Sequence, residues 1–290
     1  MTDLVERYSV ASLLPPQGGA RVMRPRLRTV EAHWHDYYEL SLVLDGEADH
    51  VVNGRRHHLG PGSAFLLSPA DVHEIRTTGP APLACFNTVI DPALVEGHLA
   101  ALGGPGSPGS DEFPWLVDDF ADARPDFDRL QRECEEPRTG SAQVTAAIVA
   151  CLLVELARRC GSADRPTDPV GDVEADLRAA VLHVDRHFRE PLTLAEVAAV
   201  AHLSPNWFSE RFRQHAGVPF QTYLQERRLR FARSLLVSTA LPVGEVCHAA
   251  GFNSLSHFGR AYRRRYGVAP SAGRRASLSP SGVTETTRSR

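Results

Sequence analysis

Residues 193–204 read Thr193-Leu194-Ala195-Glu196-Val197-Ala198-Ala199-Val200-Ala201-His202-Leu203-Ser204, and Pro205–His215 follows them. The spacing of their apolar residues predicts a short helix, a turn and a second helix. The same arrangement returns over Val243–Tyr266, about fifty positions later. That shift superposes identical or similar residues, namely Ser204 on Ser254, Phe208 on Phe258, Phe212 on Tyr262, Arg213 on Arg263, Gly217 on Gly267 and Val218 on Val268. An internal repeat decides the architecture, and this one predicts two helix-turn-helix units.

Each feature of the repeat has a physical cause. Gly251 can adopt the positive φ that ends a helix and turns the chain. Ser204 and Ser254 suit the position before a helix, where a side-chain oxygen accepts a backbone N–H. The aromatic residues of each second helix lie four apart and share one buried face, which leaves the opposite face open. Between the two units, Phe220–Ser238 is predicted to form one long helix.

These residues resemble those of a known family. The run Leu192–Pro205, with Phe212-Arg213 and Gly217-Val218 after it, is similar to the first half of an AraC-type DNA-binding domain. Ala249–Ser254 and Gly267–Ser271 resemble the second half. The resemblance covers about a hundred residues. It implies a transcriptional regulator that acts as an activator, with promoter DNA and RNA polymerase as partners.

In such a domain the exposed early positions of each second helix face the major groove. Asn can read adenine, Glu can accept a hydrogen bond from cytosine, and Arg can fork onto guanine. The predicted base contacts are Asn206, Ser209 and Glu210 in the first unit and Leu255, Ser256, Gly259 and Arg260 in the second. The predicted phosphate contacts are Ser204, Arg213, Arg263 and Arg264.

Charge is divided between the two halves of the chain. Residues 171–275 hold 15 Arg against 9 acidic residues, a net of +6, while residues 1–170 hold 15 Arg against 25, a net of −10. The basic half is therefore the half that contains the repeat, as DNA binding requires. The five cysteines form no CxxC pair, which favours a reducing cytoplasm over a disulfide framework. The sequence predicts no membrane segment.

The first hundred residues change to a period of two. Glu31–Leu44 and Ala48–Val52 are predicted strands, and Asn53-Gly54 is a strong hairpin signal. Further short strands follow at Arg55–Leu59, Ala64–Leu67 and Leu83–Ile90. Strands at this spacing predict a small antiparallel barrel.

The pattern His33-x-His35-x₃-Glu39-x₆-Gly46, with a later His73, resembles the two motifs of a cupin. AraC-type regulators commonly carry such a domain as a sensor. His33, His35 and Glu39 share strand parity and are expected to face one side. The second motif departs from the pattern, because Asp71 replaces a common Gly and the Pro69-to-His73 interval is one residue short. That shortening changes side-chain parity and could turn His73 away, which counts against a metal site.

Two interpretations of this cluster stay open. His33, His35, Glu39 and His73 could hold a divalent metal, or the same residues could bond an organic effector beside the aromatic rings of Tyr37, Tyr38 and Phe65. The sequence favours the second, an effector pocket of His33, His35, Tyr37, Glu39 and His73, with no cofactor, no metal and no catalytic residue.

Ser141–Cys160 is a strongly apolar predicted helix that needs cover on more than one side. It is expected to pack on the sensor domain and also to pair two subunits, with Leu153 as a test position. Gly103–Ser110 is a predicted flexible loop and Gly161–Gly171 the predicted interdomain linker. The predicted limits are 1–100 for the sensor, 101–170 for the intervening segment, 171–275 for the DNA-binding domain and 276–290 for a disordered tail.

The predicted fold class is α+β, with an antiparallel cupin-like barrel followed by helices and an all-α double helix-turn-helix domain. The predicted function is that of a cytoplasmic, homodimeric transcription factor that responds to a small-molecule effector. A metal-dependent cupin enzyme or a metal sensor fused to a DNA-binding domain is the first alternative. An architectural DNA-binding protein without an effector is the second.

Overall fold

The computed structural model describes residues 6–8, 10–14, 19–69, 71–95, 98, 115–160 and 172–278 of the 290-residue chain. Its N-terminal half is built mainly of strands, with a short helix α1 (Val10–Leu13) near the start. The strands are β1 (Glu6–Tyr8), β2 (Ala20–Met23), β3 (Arg26–Leu27), β4 (Thr29–His35), β5 (Tyr38–Asp45), β6 (Ala48–Val52), β7 (Arg55–Leu59), β8 (Ala64–Leu67), β9 (Val72–Thr77), β10 (Leu83–Ile90) and β11 (Trp115–Val117).

Within the described residues these strands form two facing sheets and not the closed barrel that the sequence predicts. Sheet A has the order β1-β4-β9-β6-β7, and sheet B has the order β11-β8-β5-β10-β2. All pairs in them are antiparallel except β1 with β4, which is parallel. The predicted strand 31–44 is also wrong as one strand. It breaks at Asp36-Tyr37, so that β4 belongs to sheet A and β5 to sheet B.

Sheet B is buried on both faces. Alternate residues of β5, such as Val43, meet sheet A in the interior of the sandwich, and Leu40 and Leu42 lie under two helices. Those helices are α2 (Arg124–Glu135) and α3 (Ser141–Arg159). The predicted packing of α3 on its own sensor domain is thus observed.

The burial of α3 explains its composition. By length and apolar character α3 is the one helix among the described residues that could cross a membrane. Its apolar face is buried against sheet B, and Leu153 is completely buried in that contact. Leu153 is therefore not a partner-facing residue, which corrects its use as a test of subunit pairing.

The C-terminal half contains the two predicted helix-turn-helix units. Its helices are α4 (Asp172–His187), α5 (Leu194–Val200), α6 (Pro205–Ala216), α7 (Phe220–Ser238), α8 (Val243–Ala249), α9 (Leu255–Tyr266) and α10 (Pro270–Leu278). The first unit is α5 with α6, the second is α8 with α9, and α7 connects them. Because α10 reaches Leu278, the predicted start of a disordered tail at 276 is wrong. Residues 279–290, the loop 103–110 and the linker 161–171 lie outside the described residues.

The two turns differ by one residue. In the first turn His202 has φ 51° and Leu203 N donates to Ala198 O. In the second turn Gly251 has φ 80° and Phe252 N donates to Cys247 O. The shift between these equivalents is 49, and the extra residue Asn253 brings it to 50 at Ser204 and Ser254.

The helical core continues into the sensor domain. Phe188, Phe208, Phe231 and many smaller side chains form one buried cluster, and Trp34 of β4 and Val72 of β9 belong to it. The hairpin turn at Gly54 also meets α7, because a Cβ there would lie 2.2 Å from Val237 Cγ1. One face of sheet A therefore packs directly on the connecting helix.

Candidate nucleic-acid interface and ligand cluster

The first unit presents one face of α6 to solvent. Ser204 caps the helix, since its Oγ accepts from Trp207 N at 3.4 Å, and Gly217 ends it with φ 74°. Phe208 and Phe212 are fully buried, which fixes the rotation of the helix about its axis. The opposite face is open, and one shallow depression on it is lined by Asn206, Ser209, Glu210, Arg213, Gln214 and Gly217.

The second unit has the same form. Ser254 caps α9 through His257 N at 3.3 Å, and Phe258 and Tyr262 are buried. Leu255 is 53% exposed at the start of the helix. Of the other predicted contacts, Gly259 is half-buried and the rest are exposed, namely Ser256, Arg260, Arg263 and Arg264.

Some of the arginines are engaged within the protein. Arg264 Nη2 donates to Gln225 Oε1 of α7 at 2.9 Å, so this predicted phosphate contact also ties α9 to the connecting helix. Arg227, on α7, is 8% exposed and forms an ion pair with Asp185 at 2.8 Å. Arg228 donates to the backbone oxygens of Phe188 and Glu190. Arg227 and Arg228 therefore stabilise the domain instead of adding to its outer charge.

The interior of the sandwich holds a cluster of histidines and one carboxylate. His33, His35, Glu39 and His73 are at most 5% exposed. Single ligand atoms of His33, Glu39 and His73 lie within 4.8 Å of one another. Glu39 Oε2 is 3.7 Å from His35 Nε2 and 4.0 Å from His73 Nε2. We call these four residues the ligand cluster.

The shortened interval before β9 does not turn His73 away from the cluster. His73 pairs directly with His33 across β4 and β9, so both side chains point into the sandwich. The side chains of His33, His35 and Glu39 do meet in one place, as expected, but not because they share one strand. Because the chain passes from sheet A to sheet B at Asp36-Tyr37, Glu39 faces the histidines across the interior and does not lie beside them on one strand.

The outer atoms of the cluster are held in place. His33 Nδ1 donates to Glu31 O at 2.9 Å, and His35 Nδ1 donates to Tyr37 O at 2.7 Å. Glu39 Oε1 accepts from Asn87 Nδ2 at 3.0 Å. By contrast, His35 Nε2 and His73 Nε2 are buried without a hydrogen-bond partner among the described residues. In a histidine that binds a metal, one ring nitrogen is held by a hydrogen bond outside the site and the other is left to bind the ion. His35 has this arrangement.

Burial also sets the protonation of the cluster. It lowers the pKa of His35 to about 3, with His33 as a further cause, and lowers the pKa of His73 well below its ordinary value. Burial raises the pKa of Glu39 to about 7, although Ser41 and Asn87 hydrogen bonds oppose it. Neutral imidazoles with free Nε2 atoms can act as metal ligands or as hydrogen-bond acceptors. His33, Glu39 and His73, whose ligand atoms lie close together, therefore fit a divalent metal such as zinc.

Three residues that contact the ligand cluster are absent from the sequence prediction. His50 is fully buried and its Nε2 lies 3.1 Å from His73 Nδ1, while Asn87 and Ser41 both bond Glu39. The alternation of β6, in which residues 48, 50 and 52 are buried, could have identified His50. Burial lowers the pKa of His50 to about 3, so it too is neutral.

Aromatic and acidic neighbours complete the surroundings. Tyr37 stacks on His35 with ring centroids 4.2 Å apart, and Phe65 lies 4.4 Å from the ring of His50. Asp71, which departs from the cupin pattern, has a structural role. It accepts from Ser68 N at 2.6 Å and from Asn53 Nδ2 at 2.6 Å, which joins the hairpin turn to the turn before β9.

Both halves of the chain match known protein domains. Residues 18–140 match the family described as AraC-like ligand binding domain, and residues 197–276 match a helix-turn-helix domain. The transcriptional activator RhaS of Enterobacter sp. (strain 638) is 26% identical over 275 residues, which cover 91% of this chain and 96% of that protein. RhaR of Klebsiella pneumoniae is 25% identical over 249 residues, covering 84% and 87%. The crystal structure of ToxT from Vibrio cholerae O395 has a TM-score of 0.39 at 13% identity, covering 89% and 97%.

Fold, sequence and matched domains define a DNA-binding regulator with a ligand-binding domain in front of its helix-turn-helix units. The two matched domains are those of an AraC-type transcriptional regulator. It is a transcription factor whose N-terminal half is the ligand-binding domain of that family.

Proposed function

We propose that the protein reads promoter DNA with α6 and α9 together, and that a ligand in the sandwich controls this binding. The observation that carries the proposal is the pair of capped helices with buried aromatic faces and open polar faces, joined by one 19-residue helix. Rigid connection lets two such helices enter successive major-groove segments. We propose 171–275 as the DNA-binding domain, and we extend the ligand-binding domain past the predicted limit of 100, since β11 belongs to sheet B and α2 and α3 pack on that sheet.

The base contacts that we propose are six exposed residues of the open faces together with Gly259, which is half-buried and offers only its backbone. In the first unit they are Asn206, Ser209 and Glu210, and in the second Leu255, Ser256, Gly259 and Arg260. Arg213 and Arg263 occupy equivalent positions further along each helix and are exposed. They suit phosphates, which fix register without specifying sequence. Ser204 and Arg264 complete the phosphate set.

Binding of the full chain to its own upstream region tests this proposal. We expect nanomolar to tens-of-nanomolar affinity for that DNA, and much weaker affinity for a scrambled duplex, at about 0.15 M salt. Affinity should fall steeply with added salt because arginine contacts release counterions. Equal affinity for native and scrambled DNA would contradict a sequence-reading function. Arg76→Ala removes an exposed side chain of β9 in the sensor half, and this control variant should bind like the parent.

For the ligand we propose that the cluster binds and does not transform it. A small organic effector with hydrogen-bonding groups suits the histidines beside Tyr37. A divalent metal is a second candidate, favoured by the unpartnered Nε2 atoms of His35 and His73. In that case His33, His35, His73 and Glu39 hold an ion that links sheet A to sheet B and draws the two sheets together.

Elemental analysis and calorimetry separate these candidates. Protein stripped with a chelator is titrated with Zn²⁺, and the metal candidate predicts one ion per chain. His33→Ala should abolish that uptake, whereas His57→Ala, a half-buried histidine of β7, should not. Failure of the parent to take up any Zn²⁺ tightly excludes the metal candidate and leaves the organic effector.

We further propose that the protein is a homodimer that acts in the cytoplasm, where it contacts RNA polymerase as an activator. The outer face of α3 supports pairing, since Ala147 and Cys151 are exposed and Val154 is half-buried. Small apolar side chains allow two helices to approach closely. Ala147→Glu should shift the sedimentation coefficient to that of a folded monomer. A parent protein that sediments as a monomer with and without DNA contradicts the proposal.

A further inference from the structure

The ligand cluster and the DNA-binding domain touch opposite faces of the same two strands. In the pairing of β4 with β9, His33 lies opposite His73 and Trp34 lies opposite Val72. Successive side chains of a strand point to opposite faces. His33 and His73 therefore enter the sandwich, and Trp34 and Val72 are buried among residues of the helical domain.

Trp34 is held by two side chains of that domain. Its ring meets Phe231 of α7 edge-on, with centroids 5.7 Å apart. The guanidinium carbon of Arg189 lies 3.9 Å from the centre of the same ring. Trp34 is only 5% exposed, and a cation over a desolvated indole is a strong form of this interaction.

Arg189 in turn supports the second helix-turn-helix unit. Its Nε donates to Ala249 O at 2.7 Å, at the last residue of α8. Its backbone lies against the next turn, because a Cβ on Gly251 would be 2.7 Å from Arg189 O. Arg228 of α7 holds the neighbouring oxygens of Phe188 and Glu190. The backbone of Arg189 is thus fixed by α7, while its side chain joins Trp34 to the end of α8.

We propose that Arg189 is a positioning residue for α9 and that Trp34 transmits the state of the ligand cluster to it. The proposal rests on the function proposed above, in which the cluster binds the ligand and both helices bind DNA. A ligand that draws His33 and His73 toward Glu39 moves the ends of β4 and β9. Trp34 and Val72 move with these strand ends, and the contact between the Trp34 ring and the Arg189 guanidinium changes. The two states then differ in the placement of the second unit, which gives the ligand different affinities for them.

Hydrogen exchange of the full chain, without DNA or ligand, tests the contact itself. The reporting amides are those of Gly251 and Phe252, which donate to His248 O and Cys247 O. We expect Trp34→Ala and Arg189→Ala each to speed their exchange about tenfold, and the double variant to be no faster than Arg189→Ala alone. Trp34→Phe keeps an aromatic face and should stay near the parent.

Two controls separate positioning from general loosening. The amides of His202 and Leu203 in the first turn should exchange as in the parent. Arg24→Ala removes a guanidinium that lies 4.3 Å from the centre of the Phe86 ring inside the sensor half, and it should leave Gly251 unchanged. Equal acceleration of both turns, or no acceleration at Gly251, overturns the proposal.

The link to the cluster is tested by combining variants. His33→Gln should alter exchange at Gly251 and Phe252 in the parent but not in the Trp34→Ala background. His73→Gln serves as a second variant if His33→Gln does not fold. If His33→Gln and His73→Gln still alter exchange at Gly251 and Phe252 in the Trp34→Ala background, Trp34 does not transmit the state of the ligand cluster.

DNA binding distinguishes failure here from failure of the proposed function. Trp34→Ala should weaken binding about tenfold to DNA that carries both of the major-groove segments proposed above, and leave binding to the segment read by α6 alone unchanged. If the parent protein binds no DNA, the proposed function is contradicted. Hydrogen exchange at Gly251 and Phe252 still tests the contact between Trp34 and Arg189 in that case. A parent that binds both segments, with Trp34→Ala indistinguishable from it, overturns this inference.

Discussion

At the residue scale, single side chains carry the chemistry of both halves. Arg260 is exposed on the open face of α9, and Arg263 lies one turn further along the same helix. An arginine near the start of such a helix can fork onto guanine, whereas one further along reaches the backbone. The two residues therefore form a matched pair for separating base reading from phosphate contact.

Arg260→Ala is expected to relax base preference within one segment, at a cost of roughly 1–3 kcal/mol on the preferred sequence. Arg263→Ala should weaken binding to all sequences by a similar factor. Affinities for a set of single-base variants of the bound DNA measure both effects. Uniform weakening by Arg260→Ala makes Arg260 a phosphate contact instead.

His202 has a backbone conformation that is unfavourable for a residue with a side chain. It has φ 51° in the first turn, where the second turn has Gly251. A side chain in the left-handed region costs roughly 1–2 kcal/mol, which glycine avoids. His202→Gly should therefore raise the free energy of unfolding by up to about 1 kcal/mol. His248→Gly, at an exposed position in α8, should lower it by about 0.5 kcal/mol. Urea unfolding measures both free energies, and a loss of stability in His202→Gly would show that the His202 side chain itself stabilises the turn.

His35 is expected to make the metal-free protein sensitive to acid. Burial lowers its pKa to about 3, while the unfolded chain has the ordinary value near 6.5. The stability that this depressed pKa contributes is present above 6.5 and is lost as pH falls toward 3. Between pH 7 and pH 5 the unfolding free energy should therefore drop about 2 kcal/mol more in the parent than in His35→Asn. Chelator is present throughout, and equal losses in the two proteins contradict the burial of a neutral His35.

At the element scale, the turns show what the sequence could and could not predict. The repeat predicts both units and the connecting helix Phe220–Ser238 to the residue, because capping residues and aromatic spacing are local signals. The break at Asp36-Tyr37 and the inward side of His73 depend on which sheet each strand joins. That choice is made by long-range pairing, such as His33 with His73, and no local pattern reports it. The sequence does not predict His50 because this residue belongs to no motif, although buried and partly buried residues alternate along its strand.

Gly251 tests the close packing of the second turn. Gly251→Ala places a side chain at φ 80° and also within 2.7 Å of Arg189 O. Gly267→Ala imposes the same strain at φ 75° with no neighbouring atom within 4 Å. The second variant should cost about 1 kcal/mol of unfolding free energy, and the first clearly more. Equal costs would mean that the backbone of Arg189 can move aside freely.

At the scale of the whole molecule, the sensor half and the DNA-binding half share one buried cluster. Trp34 and Val72 join it from sheet A, and Phe231 and Phe188 join it from the helices. The net charge of +6 over residues 171–275 and of −10 over residues 1–170 separates the DNA-facing half from the ligand-binding half. The sequence predicts that division from charge alone. It does not predict the contact between the halves, because Trp34 lies in the middle of a cupin-like motif and has no signal of its own.

Hydroxyl-radical footprinting of the full chain on its own upstream region tests most directly that the two units act together. Two recognition helices on one rigid connector should protect two segments on one face of the duplex, with centres about one helical turn apart. Arg213→Ala should weaken protection chiefly in one segment and Arg263→Ala chiefly in the other. A single protected segment that responds equally to both variants, or no protection at any concentration that leaves the protein soluble, would contradict it.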